Sequence, residues 1–162
     1  MAPHASHISL RNVTMETLPH LIELHSRVFP VSYGHRFYDE VLMAVYYDDH
    51  YAGAICCRLE YSKYTNYTAK IYMMTLGILH PYRRLGLASQ LIEHIIEYAR
   101  ACSDPIITCL YLHVQTVNEE AIRFYIRHGF RIQHVVQDYY KLAENRDAFI
   151  LIRPVFSYAT QQ

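Results

Sequence analysis

Charge of one sign is missing from this chain: its 162 residues carry 15 Lys plus Arg against 15 Asp plus Glu, a formal balance of zero. Without a net positive field, neither counterion release nor surface attraction can hold nucleic acid or an anionic membrane, so polyanion binding is not expected as the main activity. No run approaches the ~20 apolar residues that span a bilayer, and the opening MAPHASH lacks a basic stretch followed by an apolar one. The cytoplasm is the expected compartment, with a nuclear fraction left open. Cysteines 56, 57, 102 and 109 contain no C-x-x-C pair, which argues against a disulfide framework or a zinc site. Two of them sit in apolar runs, where a small buried thiol is the usual role. The eleven histidines show neither H-x-x-x-H nor H-x-H spacing, so no metal is expected and most are ordinary surface or core residues. Linkers and internal repeats are absent as well.

What remains is 52% hydrophobic and only 19% charged, a composition that closes one core rather than staying disordered. We expect a single domain over 1–162, with short flexible ends at about 1–6 and 157–162. Ile8 to Val13 has the pattern of a strand, and Thr14 to Val28 carries Leu18, Leu21, Ile22 and Leu24 at helical spacing up to Phe29-Pro30. His35 to Met43 is expected to be a second helix. Ala44 to Tyr47 and Ala52 to Glu60 then form a hairpin around Asp48-Asp49-His50. Tyr61 to Ala69 is a loop and Lys70 to Leu79 a strand. Ala88, Leu91, Ile92, Ile95, Ile96 and Ala99 recur at i, i+3, i+4, i+7, i+8 and i+11, the strongest helical signature of the chain. Ile106 to Val114 follows as a strand, then a helix from Asn118 to His128 with an Asn cap, acidic Glu119 and Glu120 in its first turn and Gly129 past its end. Phe130 to Val136 and Ala148 to Val155 complete a mixed α/β order with one sheet.

The most informative segment is Leu76-Gly-Ile-Leu-His-Pro-Tyr-Arg-Arg-Leu-Gly-Leu-Ala-Ser89, where a strand passes through a turn into the best helix. Arg83, Gly86 and Ala88 fit R/Q-x-x-G-x-G/A. Small residues at 86 and 88 let backbone N–H groups approach a ligand, and the helix N-terminus adds about half a positive charge. Such a turn suits a pyrophosphate, although G-x-A before a helix also serves as a plain packing turn, and Arg83 and Arg84 as solvated charges.

A second cluster follows one strand and one helix later: Tyr111-Leu-His-Val-Gln115, Asn118-Glu-Glu-Ala-Ile-Arg-Phe-Tyr125 and Gly129-Phe130. With the first segment, it resembles the GNAT family of N-acetyltransferases over essentially the whole chain. The resemblance implies a mixed, mostly antiparallel sheet with two splayed strands and about four helices on its faces. It further implies acetyl-CoA as cofactor, held by Leu76, Gly77, Ile78, the turn Arg83, Arg84, Leu85, Gly86, Leu87, Ala88 and Ser89, and by Asn118, Ala121 and Tyr125. Segments such as Val28-Phe-Pro-Val-Ser-Tyr33, Ala54-Ile-Cys-Cys-Arg58, Ile71-Tyr-Met-Met-Thr-Leu-Gly77 and Asp138-Tyr-Tyr-Lys141 are similar to the catalytic subunits of NatE amino-terminal acetyltransferases. That similarity implies a catalytic pair, Tyr72 and His113, and a substrate wall of Phe29, Pro30, Val31, Tyr33, Arg58, Met74, Tyr139 and Tyr140. It also implies association with the NatA catalytic and auxiliary subunits near the ribosome. The loop Tyr61 to Ala69 is longer than in those relatives.

The residue types suit that chemistry. An α-ammonium has a pKa near 7.7 to 8.0, so a base of nearly neutral pKa, His113 directly or through water, can take its proton as nitrogen attacks a thioester. Alternation in Tyr111-Leu-His-Val puts His113 on one face of its strand. Tyr72 serves as partner base or water-orienting hydroxyl, or packs as an aromatic; Tyr125 protonates a leaving thiolate, or packs inward beside Phe124. Phe29, Pro30, Val31, Tyr139 and Tyr140 offer apolar surface, favouring a hydrophobic residue after an initiating Met by ~1 to 3 kcal/mol over a polar one. The expected reaction is therefore acetylation of Met-hydrophobic N-termini in a ternary complex. A lysine side-chain acetyltransferase and a catalytically silent cofactor-binding subunit are the alternatives.

Overall fold

Asp48 and Asp49 adopt φ values of 47° and 64°, the left-handed pair that a two-residue hairpin turn of matching twist requires. They join β2 (Val41–Tyr47) to β3 (His50–Tyr61), with Tyr47 opposite His50. In this computed structural model of the chain, residues 6–29, 41–65 and 67–160 are described. β1 (Ile8–Asn12) pairs antiparallel with β2, and α1 spans Leu18–Val28. The helix starts at Leu18, where the apolar spacing itself begins, four residues after the expected boundary at Thr14. Pro19 explains the shift: proline is tolerated in a first turn, where its missing N–H is not needed, and residues 14–17 form a preceding turn closed by Leu18 N donating to Thr14 O at 2.8 Å.

The helix expected over His35 to Met43 falls largely outside the described residues, and its last three positions belong to β2. Short apolar runs cannot be assigned by periodicity alone, and Val41 to Tyr47 is such a run. β4 (Thr68–Ile78), α2 (Leu87–Ala101), β5 (Ile106–Gln115), α3 (Glu119–Arg127), β6 (Arg131–Val136) and β7 (Ala148–Pro154) follow close to expectation. Among the described residues there are three α-helices. The seven strands make a mixed, mostly antiparallel sheet in the order β1-β2-β3-β4-β5-β7-β6. The β4 to β5 ladder is parallel and runs from Thr68↔Ile106 to Tyr72↔Tyr111, although both strands continue beyond that pair.

Backbone contacts divide the chain into two units, Met1–Arg58 with Met74–His94, and Leu59–Met73 with Ile95–Gln162. In the first, Leu21, Leu24, Ala54 and Cys56 form a buried cluster on which Val28, Met74 and Leu79 pack. In the second, Ile107, Leu110 and Leu151 are fully buried. Tyr158–Thr160 form a short helical turn after the buried Ser157. Tyr158 donates its hydroxyl to Glu97 at 3.0 Å and lies under the Arg100 guanidinium, which explains why this tail is seated. The four cysteines are free, and no cluster of metal-ligating side chains occurs among the described residues. Among the described residues, no helix is long and apolar enough to cross a membrane.

Candidate active site

The first unit contains the end of β4, the turn after it and the start of α2. β4 alternates: Tyr72, Met74 and Leu76 are half-buried on one face, while Ile71, Met73 and Thr75 are buried on the other. Past Ile78, residues His80–Tyr82 make one tight helical turn. Arg83 then folds back so that its Nε donates to the Ile78 carbonyl at 3.0 Å. Arg83 therefore clasps the turn that carries it, a role the sequence did not reveal. Arg84 and Gly86 have φ values of 60° and 78°, and Gly86 needs to be glycine for that backbone alone, because a Cβ there would meet nothing within 4 Å. Arg83, Arg84, Leu85 and Gly86 are exposed, Leu87 is buried, and Ala88 and Ser89 are intermediate. The first N–H groups of α2 have no intrahelical acceptor, and no acidic side chain stands in that first turn to occupy them. A left-handed, open turn, two arginines and a positive helix end without an acidic side chain in its first turn fit the diphosphate of a coenzyme A thioester.

The same unit holds three of the expected wall residues among those described, Phe29, Arg58 and Met74. Phe29 follows α1 in extended conformation, and its ring stands edge-on to His25 with centroids 5.4 Å apart. A Cβ on Gly77 would lie 3.2 Å from Phe29 Cε2, so glycine in β4 lets this ring lie against the strand. His25 is buried with its Nε2 3.1 Å from Thr75 Oγ1, and burial lowers its pKa to about 4. Arg58 is exposed on β3, whereas Met74 packs on the apolar cluster of α1 and β3. Pro30, Val31 and Tyr33 lie outside the described residues.

The second unit brings Tyr72 and His113 together. The Tyr72 hydroxyl is 3.0 Å from His113 Nδ1 and 3.0 Å from the Tyr139 hydroxyl. The His113 ring meets Tyr72 edge-on, and Tyr139 stacks on it at 3.9 Å with the planes 6° apart. Tyr140 donates its hydroxyl to the His113 carbonyl at 3.2 Å, which ties the β6 to β7 connection to β5. Tyr111 packs its ring 4.9 Å from that of Tyr72 and donates its hydroxyl to Glu60. Burial pushes the Tyr72 phenol well above its ordinary range, and the neighbouring Tyr139 adds to the effect. Burial also holds His113 below the ordinary imidazole value, His134 lowers it further, and the Glu60 carboxylate partly opposes both. At neutral pH the site thus presents a neutral imidazole hydrogen-bonded to a protonated phenol, a nitrogen base beside a hydroxyl.

Asn118 caps α3, accepting from Ala121 N at 3.2 Å through its side-chain oxygen. That oxygen is thereby committed, and the amide NH2 is the donor left for a ligand. Tyr125 is buried between Phe124 and Phe130, with ring centroids 5.2 and 5.5 Å away. Glu60 and Tyr111 escaped the sequence reading. Alternation along β5 places Tyr111 on the His113 face, so that signal was available, while Glu60 lies 51 residues from Tyr111 and had none.

Comparison with known proteins matches residues 11–130 to the acetyltransferase (GNAT) family. A probable N-acetyltransferase, san, of Drosophila melanogaster is 41% identical over 152 residues, 90% of this chain and 80% of that protein. N-alpha-acetyltransferase 50 of Danio rerio is 39% identical over 150 residues, 89% of this chain and 86% of that protein. The solved structure of Arabidopsis thaliana Naa50 in complex with the bisubstrate analogue CoA-Ac-MVNAL matches with a TM-score of 0.82 at 36% identity, covering 90% of this chain and 97% of that one. The chain therefore belongs to the acetyltransferase (GNAT) family. Within it, this is an acetyl-CoA-dependent N-terminal acetyltransferase of the N-alpha-acetyltransferase 50 group.

Proposed function

We propose that this enzyme acetylates the α-amine of N-termini that begin with Met and a hydrophobic residue, in a ternary complex, with Tyr72 and His113 as the proton-transfer pair. The observation that carries the reading is the 3.0 Å approach of the Tyr72 hydroxyl to His113 Nδ1. A neutral imidazole held below its ordinary pKa suits an amine of pKa near 7.7 to 8.0 better than a lysine amine near 10.4. Bound acetyl-CoA supplies the acetyl thioester. In the first unit, the 83–89 turn suits the anionic part of the cofactor; in the second, the Asn118 amide offers a donor for its polar part, His113 accepts the amine proton through the Tyr72 hydroxyl, and Tyr125 donates a proton to the departing sulfur. Phe29 in the first unit, and Tyr139 and Tyr140 in the second, each offer apolar surface of the kind that suits the first two substrate residues. The Arabidopsis Naa50 complex, whose analogue carries the peptide MVNAL, supports a Met-hydrophobic preference.

Association with NatA subunits near the cytoplasmic ribosome is part of the same proposal and rests on the likeness to N-alpha-acetyltransferase 50. Purification at gentle salt is expected to bring down NatA components, and their consistent absence would overturn that part. Specificity is tested by mass spectrometry of a peptide library incubated with enzyme and acetyl-CoA. Met-Leu and Met-Val peptides should be acetylated at the α-amine, Met-Lys and Met-Asp peptides poorly, and α-blocked peptides not at their lysines. Preferential lysine acetylation would replace the proposal with the side-chain alternative.

A further inference from the structure

Tyr139 has partners that a substrate wall does not require. Its hydroxyl is 3.0 Å from that of Tyr72, and its ring covers His113 at 3.9 Å, almost parallel. The segment carrying it is pinned: Tyr140 reaches the His113 carbonyl, Tyr140 N donates to Arg146 O at 2.9 Å, and Gln115 Nε2 donates to Asn145 O at 2.9 Å.

The Tyr72 hydroxyl has one proton and two neighbours at equal distance. In one arrangement it donates to His113 Nδ1 and accepts from Tyr139, which leaves the ring proton on Nε2. In the other, Nδ1 carries the proton and Tyr72 donates to Tyr139, which turns the basic nitrogen away from Tyr72. An imidazole nitrogen is far more basic than a phenol oxygen, so the O–H···N bond is the stronger choice. Tyr139 is 38% exposed, so its oxygen can accept from water while its proton points inward.

We propose that Tyr139 is a positioning residue for acetyl transfer: by donating to Tyr72 and stacking on His113, it keeps Tyr72's only proton directed at Nδ1 and the imidazole in its Nε2–H form. This rests on the assignment of Tyr72 and His113 as the proton-transfer pair. The substrate amine then passes its proton to the Tyr72 oxygen as the original Tyr72 proton moves to Nδ1. One ammonium N–H bond and one O–H bond break and one O–H and one Nδ1–H bond form; the lone pair freed on nitrogen makes the new C–N bond as the thioester C–S bond breaks, its electron pair leaving on sulfur to take up the proton assigned to Tyr125.

Tyr139→Phe keeps the ring and removes only the hydroxyl, so two measurements on it separate positioning from contact. Nitrogen NMR of labelled histidine at about pH 8, where imidazole is neutral, should show His113 as Nε2–H in the native enzyme and a tautomer mixture in Tyr139→Phe. With a Met-Leu peptide, Tyr139→Phe should lower kcat by about three- to tenfold, the scale of one hydrogen bond, with KM little changed. The loss should vanish when the same change is made in a Tyr72→Phe background. An unchanged tautomer, or a raised KM at constant kcat in both backgrounds, would overturn the proposal and leave Tyr139 as wall alone. Should Tyr72→Phe itself leave kcat intact, the proton-transfer assignment fails, and the tautomer shift alone still decides whether Tyr139 orients His113.

Discussion

Replacing Gly86 probes the cofactor turn where its backbone is most demanding. At φ 78°, glycine sits in the left-handed region, which costs an L-residue roughly 1 to 2 kcal/mol. Because a Cβ there would meet nothing within 4 Å, no packing clash adds to that strain. For a domain of this size each kcal/mol moves Tm by ~2 to 4 °C, so Gly86→Ala should lower the ligand-free Tm by ~2 to 8 °C. Acetyl-CoA at a hundredfold excess over its Kd should raise the native Tm by ~5 to 10 °C, from ~2.7 kcal/mol of binding linkage. Side-chain bulk in the open turn also obstructs a diphosphate approaching its N–H groups. The acetyl-CoA shift should therefore shrink by at least half in Gly86→Ala and disappear in Gly86→Val. Thermal denaturation with and without acetyl-CoA reads both effects, and a full ligand shift in Gly86→Val would refute the assignment of this turn to the cofactor.

Phe29→Ala should act mainly on KM for Met-Leu peptides, raising it ~5- to 100-fold with kcat nearly constant, since apolar contact is shared by ground and transition states; steady-state kinetics reads the split. The acid limb of the kcat profile should lie below 6.5, because His113 is held under its ordinary value, and Glu60→Gln should move it lower still by removing the one upward influence. Folding stability should fall as pH drops from 6.5 towards about 4: the folded state keeps His25 neutral while the unfolded chain takes up a proton, so the contribution is complete above 6.5 and lost through this window. Urea unfolding of His25→Leu should show a shallower decline over the same range than the native protein.

Much of this architecture was legible because its signals are local. Apolar spacing from Ala88 to Ala99 marks α2, the Asn118 cap and Gly129 at φ 82° bound α3, and the Asp-Asp turn fixes a hairpin. α1 starts at Leu18 rather than Thr14 because the helical spacing begins only at Leu18 and Pro19 marks the first turn. Val41 to Met43 were misassigned because an apolar run of that length satisfies either period. At the site, the family resemblance pointed to Tyr72 and His113 and alternation put His113 on one face of its strand, yet neither could show that Arg83 clasps its own turn or that Tyr139 joins the pair. The Tyr139 contact depends on where the chain returns, 67 residues after Tyr72, and the Arg83 clasp, only five residues long, is a side-chain bond to a backbone carbonyl; neither leaves a periodic trace.

The central claim, that Tyr72 and His113 carry the proton from the α-amine, meets its most direct test in single-turnover acetylation of a Met-Leu peptide by His113→Ala and Tyr72→Phe. Each variant should transfer acetyl ~10²-fold or more slowly than the native enzyme while binding acetyl-CoA with nearly unchanged affinity. Transfer at the native rate by both variants would contradict it and assign the catalysis to substrate positioning instead.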